Sequence, residues 1–421
     1  MTVTGESSGV GDTLVPPPPE TGAQFPVLDT LRAVGALCVV TTHTTFWAGT
    51  YTGHGTWGTL VARLDVGVAI FFVLSGFLLS RPWLASAATE QRRPGARSYF
   101  WKRALRIVPL YVVTVLVAFA FIADNKHLGF GRFVSTLFLL DPYWQPTFPA
   151  GLTQMWSLSA EVAFYLVLPL LMLVLVGRRK PLRPARVLAG LAALSVVAAW
   201  WHLYGAALAG RGNDAATLQW LPSYLTWFAL GILLALSDLL WRRGRNGRVH
   251  SALVSLARQP GSCWVIVAGL ALVSATPLAG PSMLAAPTPA QSLTKSLLYA
   301  GIGFLIVLTG VHNDPQSRYT TLFSHPWGRR MGWISYGIFC LHLPVLHFVM
   351  WATGWTLFAG HGLQIWLLTV VLSIVVADVA YRVIERPALR LKRLRGPRIR
   401  RPGSRSTATH ESTPSSGTNI T

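Results

Sequence analysis

Charge is what this sequence has least of. Only 12% of its 421 residues are Asp, Glu, Lys or Arg, about half the share of an ordinary water-soluble domain. So thin a supply cannot dress a chain of this length for water, and 52% of the residues are hydrophobic. The solvent implied is lipid. Acidic residues are scarcer still, 15 against 36 Lys and Arg, for a formal charge of +21. Such an excess serves nucleic acid when it forms one water-facing stripe. Here it falls in short clusters between apolar runs, which excludes a nucleic-acid partner and matches cytoplasmic loops. Cysteine is nearly absent. Cys38, Cys263 and Cys340 each lie inside an apolar run at no metal-ligand spacing, and read as small buried hydrophobes that say nothing of redox compartment. Residues 1–24 contain no Lys or Arg and no apolar core segment, so a secretory signal is not expected there. With its Pro16–Pro19 run that stretch reads as a disordered lead, and 391–421, basic and then rich in Ser and Thr, as a disordered tail.

What is present is a series of long apolar runs. A hydrocarbon core of about 30 Å takes about 20 apolar residues as a helix. That ruler places ten spans, near 28–48, 64–82, 105–124, 156–177, 185–204, 218–240, 262–280, 294–312, 332–352 and 363–384. Phe130–Leu140 is apolar but too short to cross, and reads as interfacial or re-entrant. The expected fold is therefore an all-α integral membrane domain over residues 25–390, with about ten transmembrane helices. Leaving Arg32 aside, Lys and Arg number thirty on the even-numbered connections plus the C-terminal region and five on the odd-numbered ones. Positive residues stay inside, so both termini are expected in the cytoplasm. A multi-span secondary transporter would share these features. It would also show inverted repeats and paired broken helices, which the sequence does not.

Ionisable side chains at membrane depth are costly and usually functional. In the first span Arg32 and His43 are eleven residues apart, three helical turns plus about 20°, hence on one face and about 16 Å apart along the axis. Asp29 stands three before Arg32 and can pair with it. In the fourth span Ser157, Glu161 and Tyr165 recur every four residues on one stripe. A carboxylate at the depth of Glu161 could reach His43 and fix its tautomer, or pair with a cation to hold helices together. Before the third span Lys102, Arg103 and Arg106 cluster. Positive-inside bias accounts for them, and guanidinium groups so placed also grip phosphate. His342 in the ninth span reads first as a satisfied core residue. Its spacing to His347 suits no metal, and no metal site is expected. Ser75, within a span and lacking the first glycine of a nucleophile elbow, is not a catalytic serine.

Six segments in order, LDTLRAVGALCVVTTH (28–43), GVAIFFVLSGFLLSR (67–81), FWKRALRIVPLY (100–111), MWSLSAEVAFY (155–165), ISYGIFCLH (334–342) and IERP (384–387), resemble the acyltransferase 3 family of membrane enzymes, the O-antigen-acetylase-like acyltransferases. Arg32 and His43 stand at that family's Arg-x10-His spacing, and Arg103 and Arg106 at its Arg-x-x-Arg. The chain departs from the pattern at Thr30, Ala69 and Phe339, where a glycine, a polar residue and a tyrosine are frequent. The resemblance implies O-acyl transfer, often of acetyl, from acyl-coenzyme A as donor substrate, with no permanently bound cofactor. The implied acceptor is a hydroxyl of a carbohydrate, glycolipid or glycosylated metabolite, and the implied location a bacterial plasma membrane. It casts His43 as general base, or less expectedly as an acyl carrier, with Glu161 orienting the imidazole and Arg32 beside them. Arg32, Lys102, Arg103 and Arg106 would hold the donor phosphates. Ser157, Tyr165, Tyr336 and His342 become candidates to touch substrate or polarise the carbonyl.

Overall fold

The computed structural model describes residues 25–89, 93–145, 147–177, 182–210, 214–245, 247–282 and 285–393. The expected disordered lead, 1–24, and the expected tail from residue 394 onward lie outside the described residues, while the first three residues of that tail, Leu391–Arg393, form a helical turn. Those described are helical, with no strand among them. The long helices are α1 (Pro26–Trp47), α2 (Gly67–Ala88) and α3 (Ala96–Phe121), then a short α4 (Phe130–Leu137). Next come α5 (Met155–Val176), α6 (Pro184–Trp200), α7 (Leu225–Arg242) and a pair, α8 (Arg248–Ala257) and α9 (Pro260–Ser274). The chain closes with α10 (Pro289–Val311), α11 (Pro326–Thr353) and α12 (Gly362–Ala380).

Proline sets many of these starts. Pro26, Pro184, Pro260, Pro289 and Pro326 each open a helix, where the missing N–H costs nothing and the fixed φ suits the first turn. At α10 a capping box reinforces the start, Thr288 and Gln291 each satisfying the other's backbone N–H.

Among the described residues eight helices are long and apolar enough to cross a membrane, nine if α8 and α9 form one span. The ninth departs from expectation. The run expected over 262–280 stops at Ser274, and the helix before it meets α9 at 93°. Pro260 breaks the entry, while Pro277, Pro281 and Gly280 at φ 79° end the run, leaving α9 short of a full crossing. α1 is not among the eight. It is long enough at 22 residues, but Asp29, Arg32, His43 and its threonines make it too polar for lipid. Instead it runs through protein, packed against α2, α10, α11 and α12.

The outer helices are inverted relative to a water-soluble bundle. On α12, Leu363, Leu367, Val371, Val375 and Val379 are exposed, while Ile365, Thr369, Ser373 and Ala377 are fully buried. An apolar stripe outward and small or polar groups inward is what lipid demands, since packing rather than hydrophobicity joins helices there. α4 has the same signature on a smaller scale, with Phe130 at its start and Phe138 just past its end exposed on a helix of eight residues. This fits the interfacial reading. Where α2 meets α7, Gly76 and Gly231 face the other helix's backbone, and a Cβ on either would run into it.

Candidate active site

α1 and α11 run side by side in the same direction. They approach closely because Gly332 has no side chain: a Cβ there would sit within 2.8 Å of Asp29 Cα. The approach is pinned by Thr30 Oγ1 donating to Phe323 O and Trp333 Nε1 donating to Asp29 Oδ2 at 3.3 Å. At the other end of α1, Trp366 of α12 donates to Thr41 Oγ1 at 2.9 Å. Between these ties His43 meets His342. Nδ1 of His43 lies 2.8 Å from Nε2 of His342, with the rings stacked at 5.0 Å and 14°.

The hydrogen-bond pattern fixes both tautomers. His342 is wholly buried, and its Nδ1 faces two backbone carbonyls, Phe339 O at 2.8 Å and Ile338 O at 3.2 Å. A carbonyl only accepts, so His342 Nδ1 carries its proton. Nε2 of the neutral ring is then an acceptor, and His43 Nδ1 must donate to it. The lone pair of His43 is left on Nε2. His43 is only half-buried and lines a cavity of about 290 Å³ at the Trp47 end of the bundle.

This differs from the partner expected on sequence. Ser157, on the first turn of α5, lines the same cavity and its hydroxyl donates to Gln154 O at 3.2 Å. Glu161, one turn deeper, makes its described hydrogen bonds elsewhere. Its Oε1 accepts from Ser75 of α2 and from Tyr165 at 2.6 Å. The carboxylate expected to orient His43 instead joins α2 to α5, and the histidine read as core packing orients it. The every-four spacing of Ser157, Glu161 and Tyr165 holds, but the stripe passes from the cavity into the interior as α5 descends.

Toward the Phe25 end the cationic residues gather. Arg32 pairs with Asp29 at 3.2 Å and keeps about a quarter of its side chain accessible, 24%. Arg106 lies within its electrostatic reach, as does Glu161. Arg106 itself pairs with Glu385 at 2.7 Å. A π-helical turn, Tyr381–Glu385, follows α12 and carries that carboxylate inward. Arg106 also lies 5.6 Å over the ring of Tyr336, whose hydroxyl donates to Ile107 O at 2.9 Å. Tyr336 thus ties α11 to α3 and does not face His43. Arg103 differs from its neighbours: its Nε is buried without a hydrogen-bond partner, and it lies within electrostatic reach of Glu161. Lys102 is half-buried on the same turn.

Sequence reasoning missed Gln154, the residue just before α5. It is 1% exposed, its Nε2 donates to Cys340 O at 2.9 Å, and its Oε1 is buried with no partner. No spacing rule singles out such a glutamine, because its role depends on a carbonyl 186 positions away.

A polar first helix inside a ring of lipid-facing ones, a histidine with one free ring nitrogen at a cavity, and an arginine cluster from α1 and α3 toward the Phe25 end suit a membrane-embedded transferase. Residues 25–382 match the model of the acyltransferase domain family. The chain belongs to that family, and is an acyltransferase with multiple spans. It is similar to nodulation protein 10 of Rhizobium leguminosarum bv. viciae, 28% identical over 86% of this chain and 93% of that protein. It is also similar to the peptidoglycan O-acetyltransferase OatA of Listeria monocytogenes, 26% identical over 86% of this chain and 55% of that one. With acyltransferase MdmB of Streptomyces mycarofaciens the identity is 28%, over 79% and 83% respectively. No solved structure matches.

Proposed function

We propose that the protein moves an acyl group, of which acetyl is the simplest, from acyl-coenzyme A to a hydroxyl of a carbohydrate-containing acceptor in a bacterial plasma membrane. The observation that carries the reading is the free Nε2 of His43, held available by the bond from Nδ1 to His342. An alcohol attacking a thioester needs a general base, and histidine has the right basicity near neutral pH. In this reading the acceptor oxygen attacks the thioester carbonyl while its proton passes to His43 Nε2. The tetrahedral adduct then collapses, the C–S bond breaks, and the leaving thiolate recovers the proton. The imidazolium formed between these steps is supported through His342, whose own N–H points at two carbonyls.

The donor fits the opposite end. Arg32 lies about 16 Å below His43, with Arg103 and Arg106 close by. In the orientation given by the basic loops this end is cytoplasmic, where coenzyme A is found. Arg103, with its unpaired Nε, is the foremost phosphate ligand, and Arg106 is already engaged by Glu385. Phosphates would stay at the mouth while the thioester reaches His43. One of the relatives is a peptidoglycan O-acetyltransferase, which supports a sugar-containing acceptor.

The test is mass spectrometry of envelope glycans and lipids from cells expressing the protein, His43→Ala, or neither. Wild type adds an acyl mass that the other two lack. Acyl transfer by a normally expressed His43→Ala protein overturns the reading.

A further inference from the structure

Two residues lining the cavity at the Trp47 end, half-buried His43 and buried Gln154, each present an atom of the same hydrogen-bonding character. Nε2 of His43 is an acceptor, because its tautomer is set through His342 to the carbonyls of Phe339 and Ile338. Oε1 of Gln154 is also an acceptor. The amide must turn its NH₂ toward Cys340 O, which cannot donate, and this leaves the oxygen buried and unpaired. Both residues line the cavity. Gln154 Oε1 is costly to leave buried without a donor, and His43 Nε2 is open to one, so the occupant that suits this space brings two donors.

The remaining lining narrows the class. Phe46, Tyr51, Trp156 and Phe339 present aromatic surface. The charged residues are already matched. Arg63 spends its guanidinium on four backbone carbonyls, those of Ser274, Ala279, Gly280 and Pro281. Asp65 is paired with Lys295 at 2.7 Å and accepts from Tyr299. The cavity therefore offers no unmatched charge to an ionic ligand. At about 290 Å³ it lies at the lower edge of ordinary small-molecule pockets. We propose that this cavity is the acceptor subsite, that it takes a neutral sugar ring against its aromatic wall, and that Gln154 Oε1 accepts a hydrogen bond from a hydroxyl neighbouring the one that His43 deprotonates. The proposal rests on His43 as base, and names the residue that reads the acceptor as a polyol rather than a simple alcohol.

Saturation-transfer NMR on the full-length protein in nanodiscs tests it, with methyl β-D-glucopyranoside as probe. Cyclohexylmethanol, with one hydroxyl, and glucuronate, with a charge, serve as competitors. Wild type is expected to give a pyranoside signal that neither competitor displaces. Gln154→Met, close in length but without the carbonyl, should weaken pyranoside binding about 10-fold, equivalent to about 1.4 kcal/mol. Trp156→Ala, which removes a wall of the cavity, should weaken it by a comparable factor and carries the test should Gln154→Met fold poorly. Absence of a pyranoside signal in wild type, undiminished binding in either folded variant, or displacement by cyclohexylmethanol or glucuronate overturns the subsite. Because the readout is binding, it is separable from the parent reading. Acyl transfer by His43→Ala would remove the base and leave the NMR result standing, while loss of transfer in His43→Ala with no pyranoside binding would remove only the subsite.

Discussion

Replacing His342 by leucine takes away the acceptor that holds the Nδ1 proton of His43. In the native arrangement that proton lies on a 2.8 Å bond, and the accepting ring is itself fixed by a second bond of 2.8 Å to Phe339 O. With leucine there, the imidazole is free to rotate and to place its proton on either nitrogen, so the lone pair needed at the cavity is present only part of the time. In the proposed mechanism the positive charge formed on His43 also loses its outlet to the carbonyls. General-base catalysis is worth about 10²- to 10⁴-fold. A positioning residue that governs both orientation and charge should forfeit much of it. The expected result is a fall in kcat of about 10²- to 10³-fold, or about 2.7–4 kcal/mol of barrier, with the KM for acyl-coenzyme A within about 2-fold, since the proposed donor site is the arginine cluster and not His43. His342→Gln supplies a carbonyl oxygen that can accept from His43 and an amide that can donate to the backbone, and should recover part of the rate. The assay is steady-state transfer from acetyl-coenzyme A by purified protein in nanodiscs, with size-exclusion profiles to establish folding. A folded His342→Leu protein that keeps kcat within about 3-fold of wild type would refute the reasoning.

Arg103→Ala should raise the KM for acyl-coenzyme A by about 10- to 100-fold with kcat largely preserved, the equivalent of one charge-assisted phosphate contact; an unchanged KM removes Arg103 from the donor site. Gly231→Ala puts a methyl against the backbone of α2 beside Gly76. It should cost about 1–3 kcal/mol of stability, read as a lowered unfolding midpoint in detergent, and a midpoint equal to wild type would show that α2 and α7 can separate without penalty. Arg63→Lys keeps the charge but cannot span the four carbonyls of Ser274, Ala279, Gly280 and Pro281. It should speed proteolysis or hydrogen exchange in the 275–282 turn, and unaltered exchange would show that Arg63 does not hold that turn.

The sequence alone determined the solvent, the helices and the direction of their faces. Scarce charge and long apolar runs required a lipid-embedded helical domain, because a backbone in hydrocarbon must satisfy its own hydrogen bonds. The 3.6-residue period placed Asp29, Arg32 and His43 along one helix and Ser157, Glu161 and Tyr165 along another, and the Asp29–Arg32 pair is present at 3.2 Å. Periodicity fixes azimuth and depth on one helix, but not which neighbour stands opposite. That was decided by packing. Gly332 lets α11 come against α1, so the partner of His43 is a histidine 299 residues away and not Glu161, which turns to Ser75. A π-helical turn brings Glu385 to Arg106 across 279 residues, and Cys340 O aligns the amide of Gln154. What sharpened was the site: Arg32 and His43 share a face as the sequence required, but the free nitrogen of His43 depends on bonds that only the assembled bundle makes.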